Sequence, residues 1–342
     1  MSVRDRLSRL LQGAEPRRDE RAPTLWPIER GTLSPATPGD QSSGQAPRGL
    51  AYDRPRPRPP DGACNYVLLV LDSCRFDSFV RANPRTMLRL GALERRFSYA
   101  SWTSPSHFNL LMGLMPHPSP KNVYASDYYR QDFLKFRERL GFDGLSFVEM
   151  VPRLWLPHFL KHRMGYHTRA LTSLPVLNPD TPLAADFDSF ELMPQHNDLA
   201  AMVARLQFSE ERPTFYLLNA GETHYPYALP HEPEENWPRI HGVHGVFKRL
   251  DASLRAGEGV RTGEAPLVFD ESRLRILHQR QVHAVAHIDA VVEALFDALP
   301  PNTYVSITSD HGELFGEDGY FGHGPIHHEK VLEVPLVEGR LR

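Results

Sequence analysis

The 342-residue sequence has little cysteine, no strong excess of charge and no long apolar run. Two cysteines, Cys64 and Cys74, permit at most one internal disulfide. That excludes a densely stapled secreted scaffold and fits a reduced, cytoplasmic protein. No stretch approaches the roughly 18 apolar residues of a membrane helix, and the Arg-rich start lacks the apolar core of a signal peptide, so neither membrane insertion nor export is expected. Lys and Arg number 39 against 42 Asp and Glu, a formal net charge of -3. Such a balance offers no broad basic face for nucleic acid, although a local pocket for a small anion remains compatible with it. Internal repeats of solenoid or propeller length are also missing.

What is present is ordinary globular material, 41% hydrophobic and 24% charged, enough for one large domain or two modest ones. Residues 1–61 differ from the rest: an Arg-rich start, a Pro/Gly/Ser stretch, then Arg54-Pro-Arg-Pro-Arg-Pro-Pro60. Alternating Arg and Pro favours extended backbone with little to bury, so this segment reads as a tail or as an arm lying on the surface of a domain spanning 62–342. An arm contacting another subunit or an acidic partner is the active version of the same reading.

Three apolar runs read as buried strands that each deliver polar groups at the carboxyl end. Asn65–Leu71 is continuous rather than alternating, as expected of a central strand covered on both faces, and it ends in Asp72. Pro213–Leu218 leads to a loop holding His224, and Tyr304–Thr308 leads to Asp310 and His311. Open α/β sheets keep their ligands at such strand ends. The fold expected is therefore α/β, a mostly parallel sheet between helices. A long helix is predicted from about Ser272 to Leu299, with Val285, Ile288, Val292, Leu295 and Phe296 on one face and Pro300-Pro301 as its stop. Asp289 within it reads as a solvated carboxylate or a cap for another element. A last strand is placed over Glu329–Leu336, and Ser173 to about Asn197 reads as loop.

The stretch Ala100–Gly113 reads as a loop turning into a helix, with Ser104 as cap and Pro105 at the first helical position. It would aim the hydroxyl of Thr103 and unpaired amides at one spot, which favours anions. Lys121 follows in a Pro-rich loop as a cation placed to meet a substrate. Carboxylate, imidazole and hydroxyl converging at one sheet edge suit Zn²⁺ or Mn²⁺, with Mg²⁺ or Ca²⁺ less favoured by the imidazole. A cation touching Thr103 would lower its hydroxyl pKa and make a weak nucleophile competent. Arg75 and Asp77 read as an ion pair bracing the Asp72 loop.

Three pieces carry a family resemblance: Leu71-Asp-Ser-Cys-Arg-Phe-Asp77; Ser101-Trp-Thr-Ser-Pro-Ser-His107 with Leu111–Pro116; and Thr308-Ser-Asp-His-Gly-Glu313 with Gly322-His-Gly324 and Val334-Pro-Leu336. Together they resemble the sulfatase branch of the alkaline phosphatase superfamily over roughly residues 64–338. The resemblance implies one or two divalent ions, with Asp72, Asp310, His311 and Thr103 as ligands. It also implies Thr103 as the metal-bound nucleophile, with His224 and His323 as groups around the first ion or at a second one that face the transferred group. These two histidines are the expected catalytic groups beside Thr103, and His107, Ser104 and Lys121 the expected substrate contacts. Sulfatases proper carry Cys or Ser where this chain has Thr103, because those residues are oxidised to formylglycine. Their usual Arg is His107 here, a second Asp is Ser73, and the family's C-terminal subdomain is reduced or absent. Thr at the nucleophile position resembles phosphodiesterases and phospho-headgroup transferases. The expectation is a phosphoester hydrolase acting on a small molecule or headgroup. A headgroup transferase, a sulfatase and a non-catalytic metal-binding module stand as alternatives.

Overall fold

The strand Asn65–Leu71 (β1) sits in the middle of the sheet and explains its own composition: its side chains alternate between two fully covered faces. The structure, a computed structural model, describes residues 55–118, 125–146, 155–238, 270–324 and 326–341. After β1 come α1 (Phe76–Ala82), β2 (Glu94–Phe97), α2 (Thr103–Leu111), α3 (Ala125–Leu134), α4 (Phe136–Leu140), α5 (Leu156–Arg163), β3 (His167–Thr172) and β4 (Ser189–Leu192). They are followed by α6 (Leu199–Val203), β5 (Thr214–Ala220), α7 (Glu271–Ala298), β6 (Thr303–Thr308), β7 (Leu314–Phe315), β8 (Phe321–Gly322), α8 (Glu329–Leu332) and β9 (Glu333–Arg340).

The main sheet has the order β2-β9-β6-β1-β5-β3-β4. Strands β6, β1, β5, β3 and β4 are parallel, while β9 runs antiparallel to both β6 and β2. Tyr66, Leu68 and Val70 enter one core layer with Phe215, Leu217 and the helices α2, α4 and α5. Val67, Leu69 and Leu71 enter the other with Tyr216, Leu218, Val305 and the α7 residues Val285, Ile288, Val292 and Leu295. Burying one such aliphatic side chain contributes about 1.5–3 kcal/mol, so the two layers fix the register of β1 and hence the position of Asp72. The long helix α7 falls where the periodicity placed it, with Asp270 capping its start by accepting from the backbone N–H of Ser272 at 2.8 Å. Asp289 caps another element: its carboxylate accepts from the backbone N–H of Thr86 and Met87 at 3.2 and 2.8 Å.

Three elements differ from the sequence reading. The segment read as a last strand over 329–336 begins as the short helix α8, capped by His328 accepting from the backbone N–H of Lys330 at 3.0 Å. The strand proper, β9, pairs with β6 and continues to Arg340. Strands β2 and β4 lie at the sheet edges and were hidden in polar sequence, Glu-Arg-Arg-Phe and Ser-Phe-Glu-Leu, because an edge strand buries little and alternates weakly. The described residues begin at Pro55, so residues 1–54 of the segment read as a tail or arm lie outside them. The end of the Arg/Pro run rests on the domain: the Arg56 guanidinium pairs with the Asp188 carboxylate, and Arg212 donates to the carbonyl of Pro57 at 2.8 Å.

Candidate active site

Asp72 is the first residue past β1, and its backbone N–H donates to the carbonyl of Ala220 at 2.9 Å, prolonging the pairing of β1 with β5. Ser73 then adopts a left-handed conformation, φ 61°. Its N–H donates to Asp310 Oδ1 at 3.1 Å, joining the ends of β1 and β6. Asp310 Oδ1 also accepts from the backbone N–H of His311 at 2.9 Å, while Oδ2 is buried and accepts no hydrogen bond. His311 Nδ1 donates to the carbonyl of Gly312 at 2.9 Å, which leaves the Nε2 lone pair free. That nitrogen lies 3.3 Å from Thr103 Oγ1 and 3.3 Å from Asp310 Oδ2. Ligand atoms of Asp72, Asp310 and His311 all fall within 4.8 Å of one another, and all three residues are buried.

These donors fit a borderline divalent cation. Two buried carboxylates cannot both carry charge cheaply without a positive partner. Burial and the neighbouring Asp72 push the Asp310 carboxyl well above its usual range. Burial acts in the same sense on Asp72, but the surrounding imidazoles of His224, His311 and His107 and the amide of Asn219 hold it below its usual range. Burial and His323 push His311 well down, so its imidazole is neutral and able to donate a lone pair. Two ligands about 2.0–2.1 Å from a tetrahedral centre lie about 3.3–3.4 Å apart, which matches the separation of His311 Nε2 and Asp310 Oδ2.

Thr103 is the first residue of α2 and not a residue before it; the cap position belongs to Trp102, whose side chain caps nothing. Ser104 therefore does not cap the helix but occupies its second position, half-buried beside Thr103, and Pro105 is third. The amides of Thr103 and Ser104 have no acceptor within the helix. His107, read from sequence as a substrate contact, is fully buried. Its Nδ1 donates to the carbonyl of Thr103 at 2.9 Å, and it lies 3.6 Å from Asp310 Oδ2. The His107 ring thus lies one helical turn along α2 from Thr103. Lys121 lies outside the described residues.

His224 and His323 come together beside His311. Their ring centroids are 5.5 Å apart, and that of His323 is 4.3 Å from His311. His323 Nδ1 bonds Glu313 Oε1 at 2.9 Å, and Tyr227 donates its phenol to Glu313 Oε2 at 2.7 Å. Burial disfavours charge on His323, yet the Glu313 carboxylate outweighs it and raises the imidazole pKa. His224 Nδ1 donates to the carbonyl of Tyr225 at 2.9 Å, which leaves Nε2 available. Gly324 N–H donates to the carbonyl of Ser101 at 3.1 Å, tying the His323 loop to the Thr103 loop.

Several functional side chains were not singled out from sequence. Asn219, the penultimate residue of β5, donates to Asp72 Oδ2 at 2.9 Å. Glu313 and Tyr227 sat inside quoted motifs, but nothing local tells that they meet. Gln281 is fully buried in the middle of α7. Its amide donates to the carbonyls of Ser73 and Thr223 at 2.8 and 3.1 Å, and its oxygen accepts from Ser78 Oγ at 2.7 Å. A polar residue on an apolar helical stripe was its one signal. Arg75 and Asp77 form the bracing pair, with contacts at 2.7 and 2.6 Å, and Arg75 also reaches Glu317 at 2.6 Å.

No curated protein matches the sequence. Among solved structures, the periplasmic domain of the Escherichia coli protein EptC, in complex with Zn, is 13% identical with a TM-score of 0.49; the match covers 84% of this chain and 77% of that one. The soluble domain of lipooligosaccharide phosphoethanolamine transferase A from Neisseria meningitidis is 14% identical with a TM-score of 0.44, covering 83% and 78%. The 2-O GAG sulfatase BT1596 is 14% identical with a TM-score of 0.47, covering 82% and 64%. The sulfatase family profile matches residues 65–337, from the first residue of β1 into β9, and so takes in every strand end that builds the site. By that match the chain belongs to the sulfatase family, in the alkaline phosphatase superfamily of enzymes that act on sulfate and phosphate esters.

Proposed function

We propose that the chain is a divalent-metal-dependent phosphoester hydrolase that uses Thr103 as its nucleophile. The observation that carries this reading is a threonine hydroxyl 3.3 Å from the free Nε2 of His311, beside two buried carboxylates. Asp72, Asp310, His311 and Thr103 would hold the cation, Zn²⁺ or Mn²⁺ by their chemistry. When bound, it supplies a Lewis acid that lowers the hydroxyl pKa of Thr103 and offsets charge on the transferring phosphoryl group.

The chain's own residues do the rest. Thr103 releases its hydroxyl proton to solvent, and Oγ1 forms the bond to phosphorus as the leaving oxygen departs, giving a phosphothreonine. His323, held in one orientation by Glu313 and Tyr227, delivers its Nε2 proton to that leaving oxygen. Water then attacks phosphorus and gives one proton to the histidine, and phosphate or a phosphomonoester is released as Thr103 Oγ1 departs and regains a proton from solvent. His224 Nε2 is the neighbouring donor for a non-bridging oxygen. A threonine at this position favours phosphate over sulfate, because formylglycine formation starts from Cys or Ser.

The test is a panel of phosphomonoester, phosphodiester, phosphonate and sulfate esters assayed with Zn²⁺ or Mn²⁺, together with Thr103→Ala. Phosphoester turnover is expected, falling by at least roughly 10³-fold in the variant with bound metal largely retained. Full activity of Thr103→Ala sinks the nucleophile assignment. A requirement for an alcohol acceptor would make the enzyme a transferase, and sulfate turnover with a modified residue 103 would make it a sulfatase.

A further inference from the structure

A second group of nitrogen and oxygen donors lies on the surface. His158 and His162 are four residues apart on α5, which places their rings on one helical face, with centroids 4.6 Å apart. Asp186 approaches them from the turn before β4: Oδ2 lies 3.3 Å from His158 Nδ1, and Oδ1 lies 3.3 Å from His162 Nε2. Donor atoms of all three fall within 4.8 Å of one another.

Both sides of this cluster are fixed by burial elsewhere. Helix α5 is anchored through Leu156, Phe159 and Leu160, which are buried in the core on its other face. The Asp186 turn is held by Thr168 Oγ1 donating to the Asp186 carbonyl at 3.0 Å and by Trp155 Nε1 donating to the Ala185 carbonyl at 2.8 Å. Asp186 itself has a left-handed backbone, φ 66°. The cation nearest in sequence, Lys161, is committed to Asp188 at 2.9 Å, and among the described residues no Lys or Arg pairs with Asp186. The carboxylate is left to the two imidazoles, at the spacing that tetrahedral ligands adopt about a Zn²⁺ ion.

We propose that His158, His162 and Asp186 form a second metal site, open to solvent, for a borderline divalent transition ion such as Zn²⁺, Cu²⁺ or Ni²⁺. Two imidazoles with one carboxylate disfavour Mg²⁺ and Ca²⁺, which prefer all-oxygen shells. Three protein ligands leave a fourth position for water. The bound ion would pin α5 to the turn that precedes the edge strand β4. This site is separate from the Asp72–Asp310–His311 cluster and does not depend on the catalytic reading.

The full chain, stripped with chelator and desalted, is to be titrated with Zn²⁺, and bound metal counted by elemental analysis. The His158→Ala/His162→Ala double variant is expected to bind one equivalent fewer than wild type while keeping wild-type phosphoesterase activity and circular dichroism. Asp72→Asn/Asp310→Asn should keep the surface equivalent. With Cu²⁺, its electron paramagnetic resonance should show coupling to two imidazole nitrogens, lost on adding the histidine substitutions. Equal metal content in wild type and the double histidine variant overturns the proposal, and so does a Cu²⁺ spectrum without nitrogen coupling. Failure of the catalytic reading would show instead as missing activity with this equivalent still bound.

Discussion

At the scale of single residues, the site works through side chains that hold other side chains. Glu313 stands between Tyr227 and His323, accepting the phenol on one oxygen and holding Nδ1 of the imidazole on the other. Glu313→Gln is therefore expected to lower kcat by roughly 10²-fold with KM little changed, because orientation and proton delivery are lost while binding is not. Steady-state kinetics check this, and Tyr227→Phe should have a smaller effect in the same direction. Gln281 has a different task, joining the Asp72 loop to the Thr223 loop from the middle of a helix. Gln281→Ala leaves two buried carbonyls and the Ser78 hydroxyl short of a partner, at a cost on the order of 3 kcal/mol in denaturant unfolding. Metal affinity should fall with it, since the same loop carries Asp72.

At the scale of elements, the junction of β5 with α6 is expected to respond to pH. Glu222 is fully buried two residues past β5, with Oε1 accepting from the Leu199 N–H at 2.7 Å and Oε2 accepting no hydrogen bond. Burial pushes its carboxyl up to about 7 from an ordinary 4.5. An acid whose folded pKa is raised holds its proton longer in the native state. Stability is then full below the unfolded pKa and falls as pH rises through the folded one, by on the order of 3 kcal/mol at pH 8. Glu222→Gln should flatten that slope in melting experiments between pH 5 and 8; an unchanged slope would show that Glu222 is not its source. The loop after β6 depends on Gly312, where a Cβ would meet the carbonyl of Lys330 at 2.2 Å. Gly312→Ala should therefore displace His311 as well as destabilise the fold.

At the scale of the whole molecule, the proposed metal binding would be coupled to the fold through the two buried carboxylates. Removing the cation by chelation is expected to abolish turnover and to lower the melting temperature, and re-adding Zn²⁺ or Mn²⁺ should restore both, as mass action on the folded state requires. The Arg/Pro run contributes at this scale too. Deleting residues 1–61 should cost about 1 kcal/mol more than deleting 1–53, because only the longer deletion removes the Arg56 pair with Asp188 and the Pro57 acceptor for Arg212. Comparative thermal melts of the two truncations measure it.

The sequence by itself determined the parallel sheet, the strand ends and the long helix. Continuous apolar runs have one economical use, and Asp72, Asp310 and His311 stand next to those runs in the chain. It also marked Arg75 with Asp77, a short-range pair, and left Asp289 between a solvated carboxylate and a cap. Only the tertiary structure decided which side chains meet. It set the His107 ring against the Thr103 carbonyl, made Gln281 a brace and Glu313 the link between Tyr227 and His323, and brought Asp186 to His158 and His162. The physical reason is distance along the chain: local pattern dictates which face of an element is buried, whereas a hydrogen bond across 200 residues exists only once both core layers have packed.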